Sequence, residues 1–151
     1  MNEVHPRIKI TYEISEKESV FLDVKVQCRN GILITDLFKK ETDQQRYLHP
    51  LSDHPQHVKK AIPKGQFRRL RRICKEEKDF SSRAEELKEV LVERGYKSKD
   101  LETEMRRTKQ MNRAQALEKV GDKKEDNKIN FVLTHSAYLQ NIRKILKDNF
   151  R

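Results

Sequence analysis

Three aspartates, three histidines and one dense run of cations are the side chains of this chain whose types and spacing could do chemistry. Asp23, Asp36 and Asp43 fall on or just after strand-like segments, and paired aspartates on adjacent strands are how two-metal phosphoryl-transfer sites are built. Here no Asp-Asp or Asp-x-Asp pair occurs. The three are therefore better read as surface or turn-capping carboxylates. His49, His54 and His57 follow a spacing that matches no standard zinc finger, and neither Cys28 nor Cys74 lies beside them, so ordinary loop histidines are expected and no metal. Four glycines in the whole chain leave no phosphate-cradling loop, and no Ser/His/Asp nucleophile pattern stands out.

The cations are different. Between Lys59 and Arg72 the chain reads KKAIPKGQFRRLRR: seven of these fourteen residues are Lys or Arg and none is acidic. Uncompensated positive charge repels itself and is usually neutralised by a polyanion. A phosphate backbone is the foremost candidate, since each contact releases condensed counterions. A solvated helix face or a nuclear import signal is the bland alternative. The expected nucleic-acid-binding set is Lys59, Lys60, Lys64, Arg68, Arg69, Arg71 and Arg72.

The elements that must carry these groups can be read from patterning. The chain has 151 residues and a net charge of +10; 38% of its residues are charged and 34% apolar, which predicts a thin core. No apolar run is long enough for a membrane span, the N-terminus has no hydrophobic signal core, and two distant cysteines suggest free thiols in a reducing, intracellular compartment, nuclear or cytoplasmic. Alternation of apolar and polar residues predicts strands over RIKITYEIS, SVFLDVKVQC and ILITDLF, with Asn30-Gly31 as a tight hairpin turn. Residues 39–64 read as a connector, because Pro50, Pro55 and Pro63 argue against a long helix. Helical periodicity then places Phe67, Leu70, Ile73 and Cys74 on one short helix. Phe80, Ala84, Leu87, Val90 and Leu91 form the stripe of a second helix, from about Asp79 to Arg94. Gly95 is its C′ residue, and Ser98 caps a third helix that turns Leu101, Met105 and Thr108 inward. The second and third helices make a helix–turn–helix in the geometric sense. Residues 118–128 read as a charged linker, and 129–151 as a strand followed by a helix.

The string HPRIKITYEIS…VFLDVKV…LITDLFKKETDQQRYLHPLSDHPQHVKKAIPKGQFRRLRRIC, followed by DF…ERGY and FVLTHSAYLQNIRKIL, resembles the Penelope-like retroelement reverse transcriptases over almost the whole chain. The resemblance implies that Phe21, Leu22 and Asp23 correspond to a primer-grip hairpin at the end of a palm. It makes the following helices a thumb, a stretch described in animal elements as a helix–turn–helix domain. The family's catalytic tyrosine-x-Asp-Asp motif is absent, as is the GIY-YIG endonuclease found in many members, so the chain resembles a fragment that begins within a palm. The metal-bound aspartates of that motif carry the chemistry, so no catalysis and no cofactor are expected, although the parent would be an RNA-directed DNA polymerase.

The expected fold is α+β: a three-stranded antiparallel palm remnant over 1–43, then a mainly helical thumb-like region with the helix–turn–helix over 44–117. The expected function is non-catalytic binding of template–primer nucleic acid through its backbone. The alternatives are a sequence-specific helix–turn–helix protein presenting Arg106, Arg107, Lys109 and Gln110 in a major groove, and a structural or partner-binding remnant that self-associates through an exposed sheet face.

Overall fold

A computed structural model describes residues 13–118. Most of the strand expected over RIKITYEIS, the charged linker apart from its first residue, and the strand and helix expected over 129–151 lie outside the described residues.

Three strands, β1 (Glu18–Phe21), β2 (Val24–Arg29) and β3 (Ile32–Leu37), form an antiparallel sheet in the order β1-β2-β3. Asn30 and Gly31 both take positive φ, 51° and 75°, as the Asn-Gly turn between β2 and β3 demands. The strand expected over SVFLDVKVQC is instead two strands. A two-residue turn at Leu22-Asp23 folds β1 back so that Phe21 faces Val24 and Glu18 faces Gln27. Leu22 takes φ 56° there. The reversal pairs backbone groups that a single long strand would leave unpaired on that edge. No glycine marks the turn, so residue type gives no sign of it.

Four helices follow: α1 (Gln56–Ile73), α2 (Glu77–Glu93), α3 (Ser98–Gln110) and α4 (Arg113–Leu117). α1 is far longer than expected and runs straight through Pro63, so the supposed connector ends at Pro55. A proline inside a helix costs about 3 kcal/mol. That cost is offset because Pro63 is itself buried on the same face as Phe67, Leu70 and Ile73. Ser98 is the first residue of α3 and does not cap it; its hydroxyl donates to Glu102 Oε1 at 2.9 Å. α2 ends as expected: Gly95, at φ 96°, donates to the Val92 carbonyl and Tyr96 to the Leu91 carbonyl, the paired bonds of a Schellman stop. α4 is an element that periodicity does not announce. Asn112 and Gln115 cap its start reciprocally.

The core lies among the helices. Phe67, Leu70, Cys74, Phe80, Ala84, Leu87, Leu91 and Leu101 form one buried cluster, with Tyr96, Met105 and Leu37 packed against its margin. Truncating a fully buried phenylalanine such as Phe67 or Phe80 typically costs about 3–5 kcal/mol. The sheet docks through β3: Ile34 is buried, the Thr35 hydroxyl donates to the Ile73 carbonyl at 2.6 Å, and the Lys75 N–H donates to the Thr35 carbonyl at 2.9 Å. Arg83 of α2 closes the joint by an ion pair with Asp36 at 2.8 Å. The opposite edge, β1, is exposed along its length.

Candidate nucleic-acid interface

α1 carries seven cations and no carboxylate, because its sequence places Lys or Arg at most of the outward positions between the buried ones from Lys59 to Arg72. The neighbouring α2 has six carboxylates against three cations, and α3 has three against four. The positive field of the helical layer is therefore strongest over α1.

The structure divides the seven cations. Lys60, Lys64 and Arg68 are exposed, succeed one another at four-residue spacing along one stripe, and have no side-chain partner among the described residues. Beside them Ala61 and Gly65 are exposed, and nothing lies within 4 Å of where a side chain on Gly65 would begin. This stripe can meet a phosphate backbone at close range.

The other four are engaged within the fold. Lys59 is 8% exposed, and its ammonium donates to the Ser52 carbonyl at 2.9 Å. Arg69 donates through Nε and a terminal nitrogen to one oxygen of Asp23, tying α1 to the β1–β2 turn. Arg71 donates from Nε to the Met111 carbonyl at 3.0 Å, pairs with Glu77 at 2.8 Å, and lies 5.3 Å from the Phe80 ring centre. Arg72 donates from Nε to the Ala116 carbonyl at 2.6 Å. Arg71 and Arg72 thus hold the α3–α4 corner onto α1. Their bonds to that corner link residues 40 or more positions apart, and no local pattern in the sequence marks them.

Phe21 and Leu22 stand out from the hairpin tip, 72% and 68% exposed, with Asp23 turned toward Arg69. The tip and α1 are therefore joined directly. Among the aspartates, Asp36 faces Arg83 rather than a second carboxylate. Burial alone would raise its pKa; hydrogen bonds from Arg83 and from the Leu37 N–H outweigh that and hold it below the ordinary value. The same carboxylate, after burial itself, pushes the Cys74 thiol up to about 12. His49 accepts from the Leu51 N–H at 3.1 Å and His54 lies 3.3 Å from the Ser52 hydroxyl. Among the described residues no three His, Cys, Asp or Glu side chains are grouped to hold a metal, and no helix is long and apolar enough to cross a membrane.

The α2–α3 turn is strapped by the segment ahead of α1. Tyr96 donates its hydroxyl to the Leu48 carbonyl at 2.9 Å, and Arg94 donates to the Tyr47 carbonyl at 2.6 Å. Gly95 makes room for the strap: a Cβ there would sit 3.3 Å from the His49 ring. On α3, Lys99, Arg106, Lys109 and Gln110 are exposed and have no side-chain partner among the described residues, while Arg107 pairs with Glu104 at 3.0 Å.

The family model of the animal helix-turn-helix domain matches residues 46–106, from the strap through α1 and α2 into α3. No curated protein and no solved structure matches the chain.

Proposed function

We propose that the chain is a helix-turn-helix module that binds double-stranded nucleic acid, gripping the phosphate backbone with the outer face of α1. The observation that carries this reading is the stripe of Lys60, Lys64 and Arg68, unpartnered among the described residues, beside the open surface at Gly65. Its length suits successive phosphates, and Lys60 and Lys64 meet them as flexible point charges, which favours recognition of backbone over sequence. The match to a helix-turn-helix domain supports nucleic acid as the ligand.

The test is duplex affinity across a salt series. Binding should weaken steeply as salt rises. The triple change Lys60→Gln, Lys64→Gln, Arg68→Gln should lower the slope by roughly 0.9 for each phosphate that is no longer neutralised. A flat salt dependence, or a triple variant that binds as tightly as the parent, would overturn it.

A second reading, sequence-specific binding by α3, is favoured by the helix-turn-helix match and by the exposed Arg106, Lys109 and Gln110. Against it, the first two turns of α3 carry Asp100, Glu102 and Glu104, where a recognition helix usually meets base edges. Selection from random duplexes separates the two: an enriched motif that Arg106→Ala abolishes favours α3, and no enrichment favours α1.

The finer reading places this module in a reverse-transcriptase-like setting. The sheet within 1–43 is then a palm remnant, the helices within 44–117 a thumb, and Phe21, Leu22 and Asp23 a primer-grip-like tip. The Asp23–Arg69 pair, which fixes that tip against the basic helix, supports it. On this reading the chain contributes grip and no chemistry. A hybrid RNA–DNA duplex should then bind at least as well as DNA, and a clear preference for DNA would count against it.

A further inference from the structure

A cleft of about 300 Å³ opens where the β1–β2 turn, the segment after β3, α1 and α2 converge. Two of the three non-glycine residues with positive φ among the described residues, Leu22 at 56° and Gln45 at 48°, line it; the third is Asn30 of the Asn-Gly turn. Strained backbone of this kind persists only where its surroundings hold it, and it gathers at ligand sites. At Leu22 the two-residue β1–β2 turn itself requires the positive φ, and the turn leaves the Leu22 side chain largely exposed beside the cleft.

The chemistry of the walls is specific. Phe38 and Tyr47 bring two aromatic rings, and Leu37 and Leu70 add apolar surface. Lys40 stands exposed at the cleft with no side-chain partner among the described residues. Arg69 is also a wall residue; both its bonds to Asp23 fall on one carboxylate oxygen, and its remaining terminal nitrogen makes only a long 3.5 Å contact with Gln66. Tyr47 is held above its ordinary pKa by burial, an effect that Arg69 opposes and Asp43 reinforces. Asp23, bound to Arg69, and Asp43 are the carboxylates of the cleft. The Gln45 amide, with no side-chain hydrogen bond among the described residues, offers both a donor and an acceptor.

A pocket with aromatic rings, an exposed lysine, a partly free arginine and an unspent amide suits a group that is flat, polar at its edge and anionic at one end. We infer that this cleft holds a single unpaired nucleotide lying next to a bound duplex, its base against Phe38 and Tyr47 and its phosphate on Lys40 and Arg69. The cleft shares Gln66, Arg69 and Leu70 with α1; at about 100° per residue these lie on the other flank of the helix from Lys60 and Lys64, so a strand that follows the stripe enters the cleft by crossing the outer face of α1 from Arg68 to Arg69. The inference rests on the duplex-binding reading above and adds to it a preference for duplexes with an overhanging or extruded nucleotide.

The test uses the full chain and three probes: a blunt duplex, the same duplex with a one-nucleotide overhang, and that overhang carrying 2-aminopurine. The overhang should tighten binding roughly tenfold, the scale of one stacked base, and the 2-aminopurine emission should be quenched on binding. Lys40→Glu lies on the surface and leaves the core intact; it should remove most of the overhang's advantage while changing blunt-duplex affinity no more than about twofold. Gln45→Gly relieves the strained φ without disturbing the fold and should weaken overhang binding alone. Equal binding of blunt and overhanging duplexes by the parent, with both still weakened by the Lys60, Lys64 and Arg68 changes, would overturn the cleft and leave the duplex reading standing. If neither duplex binds, both fall together.

Discussion

Asp36 is the residue on which the sheet–helix joint turns. Its carboxylate is mostly buried, accepts from Arg83 at 2.8 Å and lies 3.5 Å from the Cys74 sulfur, so one side chain links β3, the end of α1 and α2. Desolvation pushes its pKa up, but the bonds from Arg83 and the Leu37 N–H prevail, and the pKa is lowered in the fold. The unfolded chain therefore binds more protons at this site than the folded one, and stability must rise with pH across the carboxylate range. The contribution is fully present above the unfolded value, about 3.9, and is lost as pH falls through the lower folded value. Asp36→Asn should cost about 2 kcal/mol at neutral pH, the worth of a hydrogen bond to a charged partner. It should also flatten the acid limb of the stability profile. Urea unfolding at a series of pH values checks both; an unchanged acid limb in the variant would assign the pH dependence to other carboxylates. Cys74 shows the same joint from the other side: beside this carboxylate its thiol stays protonated and serves as a small core residue.

At the scale of elements, α1 does two jobs with two faces, and Gly65 lies on the outer one. Glycine in a helix interior is destabilising by roughly 0.5–1 kcal/mol relative to alanine. Nothing in the fold occupies the space beside it, so Gly65→Ala should raise thermal stability by about that amount. If a duplex backbone approaches α1 there, Gly65→Leu should weaken duplex binding several-fold while leaving the melting temperature near the parent's. Calorimetry and a binding isotherm on the two variants check this, and a Gly65→Leu chain that binds normally would move the interface elsewhere. The apolar stripe Phe67, Leu70, Ile73 and Cys74 of this helix is legible in the sequence because periodicity is local. So are the stripe of α2, the Gly95 stop and the Asn30-Gly31 turn. The length of α1 is not, because Pro63 is a strong local breaker and only burial beneath it reverses that signal. The Leu22-Asp23 turn is hidden because it lacks glycine and depends on Arg69, whose partner Asp23 lies 46 residues away. The division of the seven cations is hidden for the same reason: Lys59, Arg71 and Arg72 find their partners in segments that no spacing rule connects to them.

For the whole molecule the deciding quantity is charge. The chain carries +10, and seven of its cations crowd one helix with no carboxylate among them. Like charges held that close oppose compaction, and the opposition is screened as ions are added, within a Debye length of about 10 Å at 0.1 M salt. The same ions compete with a phosphate backbone for the same side chains. Salt must then act in opposite directions on the two equilibria. Raising it from about 50 mM to about 500 mM should increase the melting temperature of the free protein and lower its affinity for duplex by orders of magnitude. A saturating duplex at low salt should itself raise the melting temperature, since a ligand of the folded state stabilises by mass action, and that rise should vanish at high salt. A module that self-associates through its exposed Phe21, Leu22, Ile32 and Leu33 behaves otherwise: salt strengthens apolar association, so its apparent mass grows as salt rises and duplex makes no difference. Melting curves and sedimentation across one salt series, with and without duplex, distinguish the two. Melting temperatures that fall with salt, or a mass that rises with it regardless of duplex, would mean that the basic face of α1 does not govern how this molecule behaves.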